Sequence, residues 1–257
     1  DARLRPMLSV HGVPRLMGAS HGELVERIAS GFADPGAAPH VVHLGGNDES
    51  AWCDIAVAVA ARLGRGLLIL REEDIIGAAT AAEREQLQVL CERELYLLPA
   101  LLLVLVADAS HGGQVTRFVD GLQAPLLLAS REPLALQRAM DSFGVDKPSV
   151  AEQRQLWSRA LGRRGIAPGG EVDVMAGQFR LSARDIAAIA DSIVPCVEAS
   201  VAEQLWRCCR GIGRDRLDDL AQRIEPTAVW DDLVLPPAQS GTLRQLSAHL
   251  RQRDRVY

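Results

Sequence analysis

Short apolar runs that alternate with helical segments are the feature that most constrains the fold of this chain. The runs read VVHLGG, GLLILR, LLLVLVAD and PLLLAS, and segments with apolar residues at helical spacing separate them. A strand that is apolar on both faces is typical of a parallel sheet covered by helices on both sides, with right-handed crossovers between strands. The sequence therefore predicts an α/β fold: a three-layer α/β/α core around a parallel sheet.

The predicted elements of this core follow the chain in order. Strands are expected at His40–Gly46, Gly66–Arg71, Leu101–Asp108 and Pro125–Ser130, with a fifth, weaker strand near Asp141–Val145. Helices are expected at Val13–Met17, His21–Phe32, Ala51–Gly64, Ala81–Leu98 and Gln114–Leu122.

The pattern changes after Pro148, where helical segments follow one another without apolar strand runs. These segments are 149–161, 169–179, 181–195, 200–212 and 214–224, and Ser182 followed by Asp185 predicts a helix N-cap. We therefore divide the chain into an N-terminal linker and helix (1–32), an α/β core (33–147), an all-helical lid (148–225), and a linker with one further helix, Gln239–Arg255 (226–257).

Composition and charge exclude several classes of function. The net charge is −5 and basic residues form no block, which argues against a nucleic-acid partner. The apolar runs are too short for a membrane span. The five cysteines (53, 91, 196, 208 and 209) lack metal-knuckle spacing, so we expect reduced thiols, no bound metal and a cytoplasmic protein. Because the chain begins at Asp1 and stops at Tyr257 after a charged helical stretch, we expect it to be part of a longer protein.

The junction between the first strand and its helix has the layout of a phosphate-binding loop, G-x-x-x-x-G-K-[ST]. When the first Gly is placed on Gly46, the second Gly, the Lys and the Ser/Thr fall on Ala51, Trp52 and Cys53. Gly45 and Gly46 can form the turn, and the helix offers its dipole. The Lys that reaches the phosphates and the hydroxyl that holds Mg²⁺ are replaced.

Two further observations weaken this loop as a nucleotide site. Asp48 and Glu49 put negative charge where a triphosphate would lie. The only lysine of the chain, Lys147, stands far from the loop in sequence.

The strand at Leu101–Asp108 corresponds to the one that normally ends in an acidic pair for Mg²⁺ and water activation. It offers Asp108, the remaining Mg²⁺ position, but Ala109 stands where the second acid belongs, and Ser130 and Arg131 end the next strand. Two separate losses, each in the right strand–loop context, predict a nucleotide-binding scaffold that has lost hydrolysis and has no catalytic residue.

The order of these segments resembles AAA-type ATPases, in which a helical lid follows an α/β core. The fragments that carry the resemblance are VVHLGG, IAVAVAARLGRGLLILREEDI, CERELYLLPALLLVLVAD, EQRQLWSRAL, FRLSARDIAAIA and the junction LWRCCRGIGRDRLDDLAQRIEPTAVWDDLVLP. In particular, the chain resembles the degenerate first module of bacterial tandem AAA ATPases, some of which accompany contractile injection systems. The resemblance implies that WDDLVLP and the last helix lead into a following, active module.

Several side chains keep two interpretations. Trp52 either plugs an empty nucleotide site or is a core or interface aromatic. Asp108 either binds Mg²⁺ or caps a helix or pairs with an arginine. Arg184 stands where AAA lids place a phosphate-sensing arginine, and its alternative is a salt bridge.

Three more residues at strand ends have two interpretations as well. Arg131 either acts across a subunit boundary as an arginine finger or has no such role. His40 and His43 flank an apolar strand and suggest a metal site, but satisfied histidines at a sheet edge are the commoner explanation.

The resemblance implies a function for this chain: a non-hydrolysing AAA module that acts as a scaffold, ring-assembly or regulatory domain of a larger protein-remodelling ATPase. Its partners would be the adjacent AAA module of the same chain, further copies in a homo-oligomeric ring and an unknown protein substrate. This segment would hold no cofactor, while the parent ATPase would use ATP and Mg²⁺. The alternatives are a regulatory domain that senses ATP or ADP without hydrolysis, and an α/β adaptor unrelated to nucleotides.

Overall fold

The computed structural model describes residues 12–32, 40–78, 80–107, 112–194, 200–215 and 229–251. Its first part alternates strands and helices: α1 (Ala19–Phe32), β1 (Val41–Gly45), α2 (Glu49–Arg62), β2 (Gly66–Arg71), α3 (Glu72–Gly77), α4 (Ala81–Leu97), β3 (Ala100–Leu105), α5 (Gly112–Gly121), β4 (Leu126–Ala129) and β5 (Met140–Gly144). Its second part is helical: α6 (Val150–Arg163), α7 (Glu171–Gln178), α8 (Ala183–Ser192), α9 (Val201–Asp215), a 3₁₀ turn (Trp230–Asp232) and α10 (Pro237–Arg251).

The five strands form one parallel sheet in the order β2-β3-β4-β1-β5. The predicted α/β fold class is confirmed, and the weak fifth strand exists as the edge strand β5. Because β1 pairs with β4 on one side and with β5 on the other, the loop that follows β1 lies next to the carboxyl ends of both neighbouring strands. This position makes the β1–α2 loop accessible to groups from several elements.

The sheet is apolar on both faces because alternate residues of each central strand enter different cores. Leu101, Leu103 and Leu127 pack in the cluster beneath α1 and α2. Leu102 and Leu126 pack in the cluster that includes residues of α3, α4 and α5. The continuous apolar runs of the sequence are therefore explained by helices on both sides of the sheet.

The lid has its own apolar cluster, separate from the two clusters of the sheet. Its largest buried side chain is Trp157 of α6, which packs with residues of α7, α8 and α9, among them Met175, Ile186 and Leu205. Ser149 caps α6 and Ser182 caps α8, each by accepting a hydrogen bond from the backbone N–H three residues later, so the predicted N-cap at Ser182 is confirmed.

Helix α1 is packed as part of the core. Leu24, Val25 and Ile28 lie in the same apolar cluster as the central strands, and Arg62 of α2 forms a 2.9 Å ion pair with Glu26. The helix ties the start of the described chain to the α/β part.

Two local predictions differ from the structure. Residues 12–18 contain no helix, so the helix predicted at Val13–Met17 is wrong; a five-residue segment between glycines cannot repay helix nucleation, and Leu16 instead packs into the lid cluster. The short helix α3 was not predicted. It is held by burial of Ile75 and by acidic residues in its first turn, which favour a helix N-terminus.

Other predicted features fall partly outside the described residues. The segment predicted as a helix at 214–224 is described only through Asp215, and the last helix is described through Arg251. Within the described ranges, none of the helices combines the length and apolarity that crossing a bilayer requires.

Candidate functional site

The loop after β1 folds back sharply onto the segment that joins the core to the lid. Gly46 has a φ of +111°, and a Cβ built on it would lie 2.5 Å from the carbonyl oxygen of Val145. The N–H of Asp48 donates to that same oxygen over 3.1 Å. Only glycine fits this conformation, so the glycine of the loop pattern serves a close contact between the loop and the start of the lid.

The N-terminus of α2 carries the chain's own negative charge. Asp48, the residue before the helix, is 2% exposed, and its Oδ1 accepts a 2.7 Å hydrogen bond from the hydroxyl of Ser50. Its Oδ2 is buried without a hydrogen-bond partner among the described residues. Glu49 adds a second carboxylate in the first turn. The positive end of the helix dipole, which would attract a phosphate, therefore faces carboxylates of the protein itself.

Trp52, at the lysine position of the loop pattern, is a core residue. It is 4% exposed and belongs to the cluster that contains Ile55, Ala56 and the strand residues. A side chain at position 52 thus enters the core beneath the sheet, which agrees with the core interpretation of this tryptophan.

Cys53, at the hydroxyl position, is half-buried, and burial raises the pKa of its thiol. A thiol that stays protonated is a poor substitute for the hydroxyl that holds Mg²⁺, a hard cation that prefers oxygen ligands.

A cavity of about 250 Å³ lies at the carboxyl edge of the sheet, next to the loop. Its walls come from the first turns of α2, the ends of β2 and β3, and the lid: Glu49, Trp52, Cys53, Arg71, Glu72, Glu73, Leu105, Val106, Ala107 and Arg184. The sequence-predicted loop and lid residues are thus brought together. The cavity is smaller than the roughly 300–1,000 Å³ of sites that enclose drug-sized ligands.

The charges that line this cavity are mixed, with three glutamates and two arginines. One of the two arginines, Arg184, is already paired: its Nη2 lies 2.5 Å from Oδ1 of Asp54. The hydrogen bond to Asp54 raises the pKa of the Arg184 guanidinium. The structure therefore shows the salt bridge that was the alternative to a phosphate-sensing role.

The end of β3 is held by a buried acid. The carboxylate of Glu72, 5% exposed, accepts a 3.0 Å hydrogen bond from the N–H of Ala107. Asp108 and Ala109, where the sequence places the Mg²⁺ position and the missing second acid, lie outside the described residues.

Arg131 and the two histidines have partners within the chain. The Nε of Arg131 lies 2.6 Å from Oε1 of Glu49, in the first turn of α2. His43 sits in the central strand β1, not at a sheet edge, where its Nε2 contacts the Ser130 hydroxyl at 2.9 Å and burial lowers its pKa. His40 stacks on Phe32. In the part of the chain that is described, no group of His, Cys, Asp or Glu side chains is arranged to hold a metal ion.

Lys147 is a residue that sequence reasoning placed far from the loop and that the structure places beside it. Its backbone N–H donates to the side-chain oxygen of Asn47 over 3.0 Å, while its ammonium donates to the carbonyl oxygen of Arg180 over 2.9 Å. The ammonium is therefore directed toward the lid. The signal in the sequence is its place directly before Pro148, at the boundary between core and lid.

A larger cavity, about 550 Å³, lies between α4 and the connection from α5 to β4, at the opposite edge of the sheet. It shares no residue with the cavity at the loop, and the sequence places no candidate residue there.

The helical part of the chain matches a known family. Residues 149–215 fit the family model of the contractile injection system ATPase helical domain. The lid is thus similar to this helical domain. The match covers about a quarter of the chain and confirms the resemblance for these residues, while a search of the curated proteins found no match.

Solved structures supply the comparison for the α/β part. The AAA domain of FIGL-1, solved in complex with ADP, superposes with a TM-score of 0.57 at 11% identity and covers 95% of each chain. A structure of Rhizobiales Trip13 has a TM-score of 0.49 and 19% identity, over 86% of this chain and 98% of that one. A structure of C. elegans PCH-2 has a TM-score of 0.48 and 12% identity, over 78% of this chain and 67% of that one. The superposition with the FIGL-1 domain shows an AAA-like fold, in which a three-layer α/β core precedes the helical lid.

Proposed function

We propose that this chain is a non-hydrolysing AAA module that serves as a scaffold within a larger protein-remodelling ATPase. The observation that carries the proposal is the burial of Trp52 in the core, at the position where an active loop has its phosphate-binding lysine. An active site needs a mobile cation there, whereas this position carries an uncharged indole that is 4% exposed and packed in the core.

The charges around the cavity support the same conclusion. A nucleotide triphosphate is a polyanion, and it would meet Glu49, Glu72 and Glu73 on the cavity wall and the buried Asp48 at the helix N-terminus. Like charges at short range repel most strongly where water is excluded. The nearby Arg184 and Arg131 already have carboxylate partners, so binding would first have to break those ion pairs.

In this proposal the module contributes shape and contact surfaces. The ATP and Mg²⁺ that drive remodelling bind to an adjacent AAA module of the same parent chain, and copies of the parent assemble into a ring. The match of residues 149–215 to the family model of the contractile injection system ATPase helical domain supports this context.

A second candidate is a regulatory domain that binds ATP or ADP without hydrolysis. The observation in its favour is that two arginines, Arg71 and Arg184, line the cavity and could contact phosphates if the salt bridge opened.

Titration calorimetry with ATP and ADP, each with Mg²⁺, separates the two candidates. We expect no binding heat at protein concentrations that detect a Kd of about 1 mM, equivalent to about −4 kcal/mol. Micromolar binding would overturn the scaffold proposal. If that binding also disappeared in both Arg71→Ala and Arg184→Ala, the result would support the regulatory domain that senses ATP or ADP.

A hydrolysis assay on the longer parent protein extends the test. Cys53→Ala, at the former hydroxyl position, should leave ATP turnover unchanged, because this module contributes no metal ligand. A Lys→Ala change in the loop of the active module serves as the matched control and should abolish turnover. Loss of turnover in Cys53→Ala would contradict the proposal.

A further inference from the structure

We propose that Arg184 and Asp54 form an intramolecular latch that holds the lid closed on the core without a bound ligand. This inference deepens the proposed function and rests on it for one point, that no nucleotide bridges the two parts. The feature to explain is an ion pair between the lid and α2, formed by an arginine that lines the cavity.

The pair joins residues that are 130 positions apart in the chain. Arg184 is the second residue of α8 in the lid, and Asp54 lies in α2, directly after Cys53. The 2.5 Å contact between Nη2 and Oδ1 spans from one part to the other, and Arg184 also lines the cavity. The guanidinium therefore contacts a protein carboxylate at the place where a ligand would otherwise link lid and core.

The environment of the pair favours a lasting contact. The Asp54 side chain is only 17% exposed, whereas that of Arg184 is 49% exposed. A shielded carboxylate gains more from a cation than a fully hydrated one does, because the effective dielectric constant is lower. Asp48 adds attraction on the same guanidinium.

Contacts at and beside the hinge, residues 146–149, also join the lid to the core. Lys147 bonds to Asn47 of the loop through its backbone and to Arg180 of the lid through its ammonium. The backbone of Ser20, in α1, donates over 2.8 Å to Glu152 of α6. The loop and α1 thus both hold the start of the lid, and the latch adds a further contact between core and lid.

The lid angle is therefore set by side chains of the chain itself. A module of this kind presents one fixed surface to its neighbours whether or not ATP is present. The latch explains how the lid stays on the core although the loop lacks the lysine and the hydroxyl that bind a nucleotide.

Hydrogen exchange measured by mass spectrometry on charge-swap variants tests the latch. Asp54→Arg and Arg184→Asp each place like charges together, so amide exchange at the hinge and at the N-terminus of α8 should rise at least about fivefold. The double variant restores an opposite pair and should return exchange close to that of the unchanged protein. If either single variant fails to fold, Asp54→Asn and Arg184→Gln are used instead. These neutral variants should raise amide exchange at the same sites by a smaller factor.

The control is Arg154→Asp, which breaks a 2.8 Å ion pair with Asp173 inside the lid. It should leave exchange at the hinge unchanged. Equal hinge exchange in all variants, or no recovery in the double variant, would overturn the latch.

Adding ATP and Mg²⁺ in the same experiment separates the latch from the proposed function. Extra protection of the loop on addition of ATP would contradict the scaffold proposal, while recovery in the charge-swap double variant would still support the latch.

Discussion

At the scale of single residues, Gly46 shows why a glycine stands in a loop that has Trp52 and Cys53 at the Lys and Ser/Thr positions of the pattern. Gly46→Ala would place a methyl group 2.5 Å from the Val145 oxygen in a backbone conformation that alanine rarely adopts. We expect the free energy of unfolding to fall by at least about 2 kcal/mol, as measured by urea denaturation.

The matched control for Gly46 is Gly144→Ala in the edge strand β5, where an added Cβ would meet nothing within 4 Å. Its effect should stay below about 1 kcal/mol. Equal stabilities for the two variants would show that the loop relaxes away from Val145.

Glu152 is the residue with the clearest pH dependence. Partial burial acts to raise its pKa, but hydrogen bonds from Ser20 and Ser149 outweigh this effect and lower the pKa from 4.5 to about 2. Because the folded pKa is depressed, the ionised side chain stabilises the fold above about pH 4.5, and this contribution is lost as the pH falls toward 2.

Glu152→Gln tests this sign. Since the side chain is partly solvated, we expect it to remove only about 1 kcal/mol at pH 6 and to flatten the loss of stability between pH 5 and about 2. Urea midpoints across this range provide the measurement, with exposed Glu85→Gln as the control. An unchanged pH profile would mean that the contact with Ser20 does not persist in solution.

At the scale of elements, the cap of α8 sets the position of the latch arginine. Ser182 is 2% exposed and accepts a 3.0 Å hydrogen bond from the N–H of Asp185, while its own N–H donates to the Asp185 carboxylate. Arg184 lies within this capped first turn, so the direction of its side chain depends on the cap.

Ser182→Ala should therefore lower the unfolding free energy by about 1–2 kcal/mol and should also raise exchange at the hinge. Ser149→Ala removes the equivalent cap of α6 from an exposed position and should cost about 1 kcal/mol. The two variants are compared by thermal unfolding and hydrogen exchange. If Ser182→Ala altered stability without altering hinge exchange, the cap would not control the latch.

At the scale of the whole molecule, the parts predicted best from sequence are those with a local physical signature. The central strands were predictable because they are apolar on both faces, and the lid helices because their apolar spacing is clear. The edge strand β5 gave only a weak signal, since most of its residues are exposed. The prediction of a helix at Val13–Met17 was wrong because Leu16, its one strongly buried residue, packs in the lid cluster and is not part of a helical apolar face.

The candidate site, too, was predictable from sequence only where the signal is local. The loop pattern alone places Trp52 and Cys53 at the Lys and Ser/Thr positions. The contacts that define the cavity could not, because Arg184 with Asp54 and Lys147 with Asn47 join residues at least 100 positions apart. No spacing rule links such pairs, and only the packing of lid on core brings them together.

The packing of Trp52 also bears on how such a loop could change over evolutionary time. A single substitution to lysine would remove the indole ring from the cluster that includes Ala51, Ile55 and Ala56, and the lost core packing would lower the stability of the fold. A variant with lysine at this position would therefore start from a less stable fold, and selection acts against such losses. Burial of one indole ring thus sets a stability barrier between this loop and one that carries the lysine.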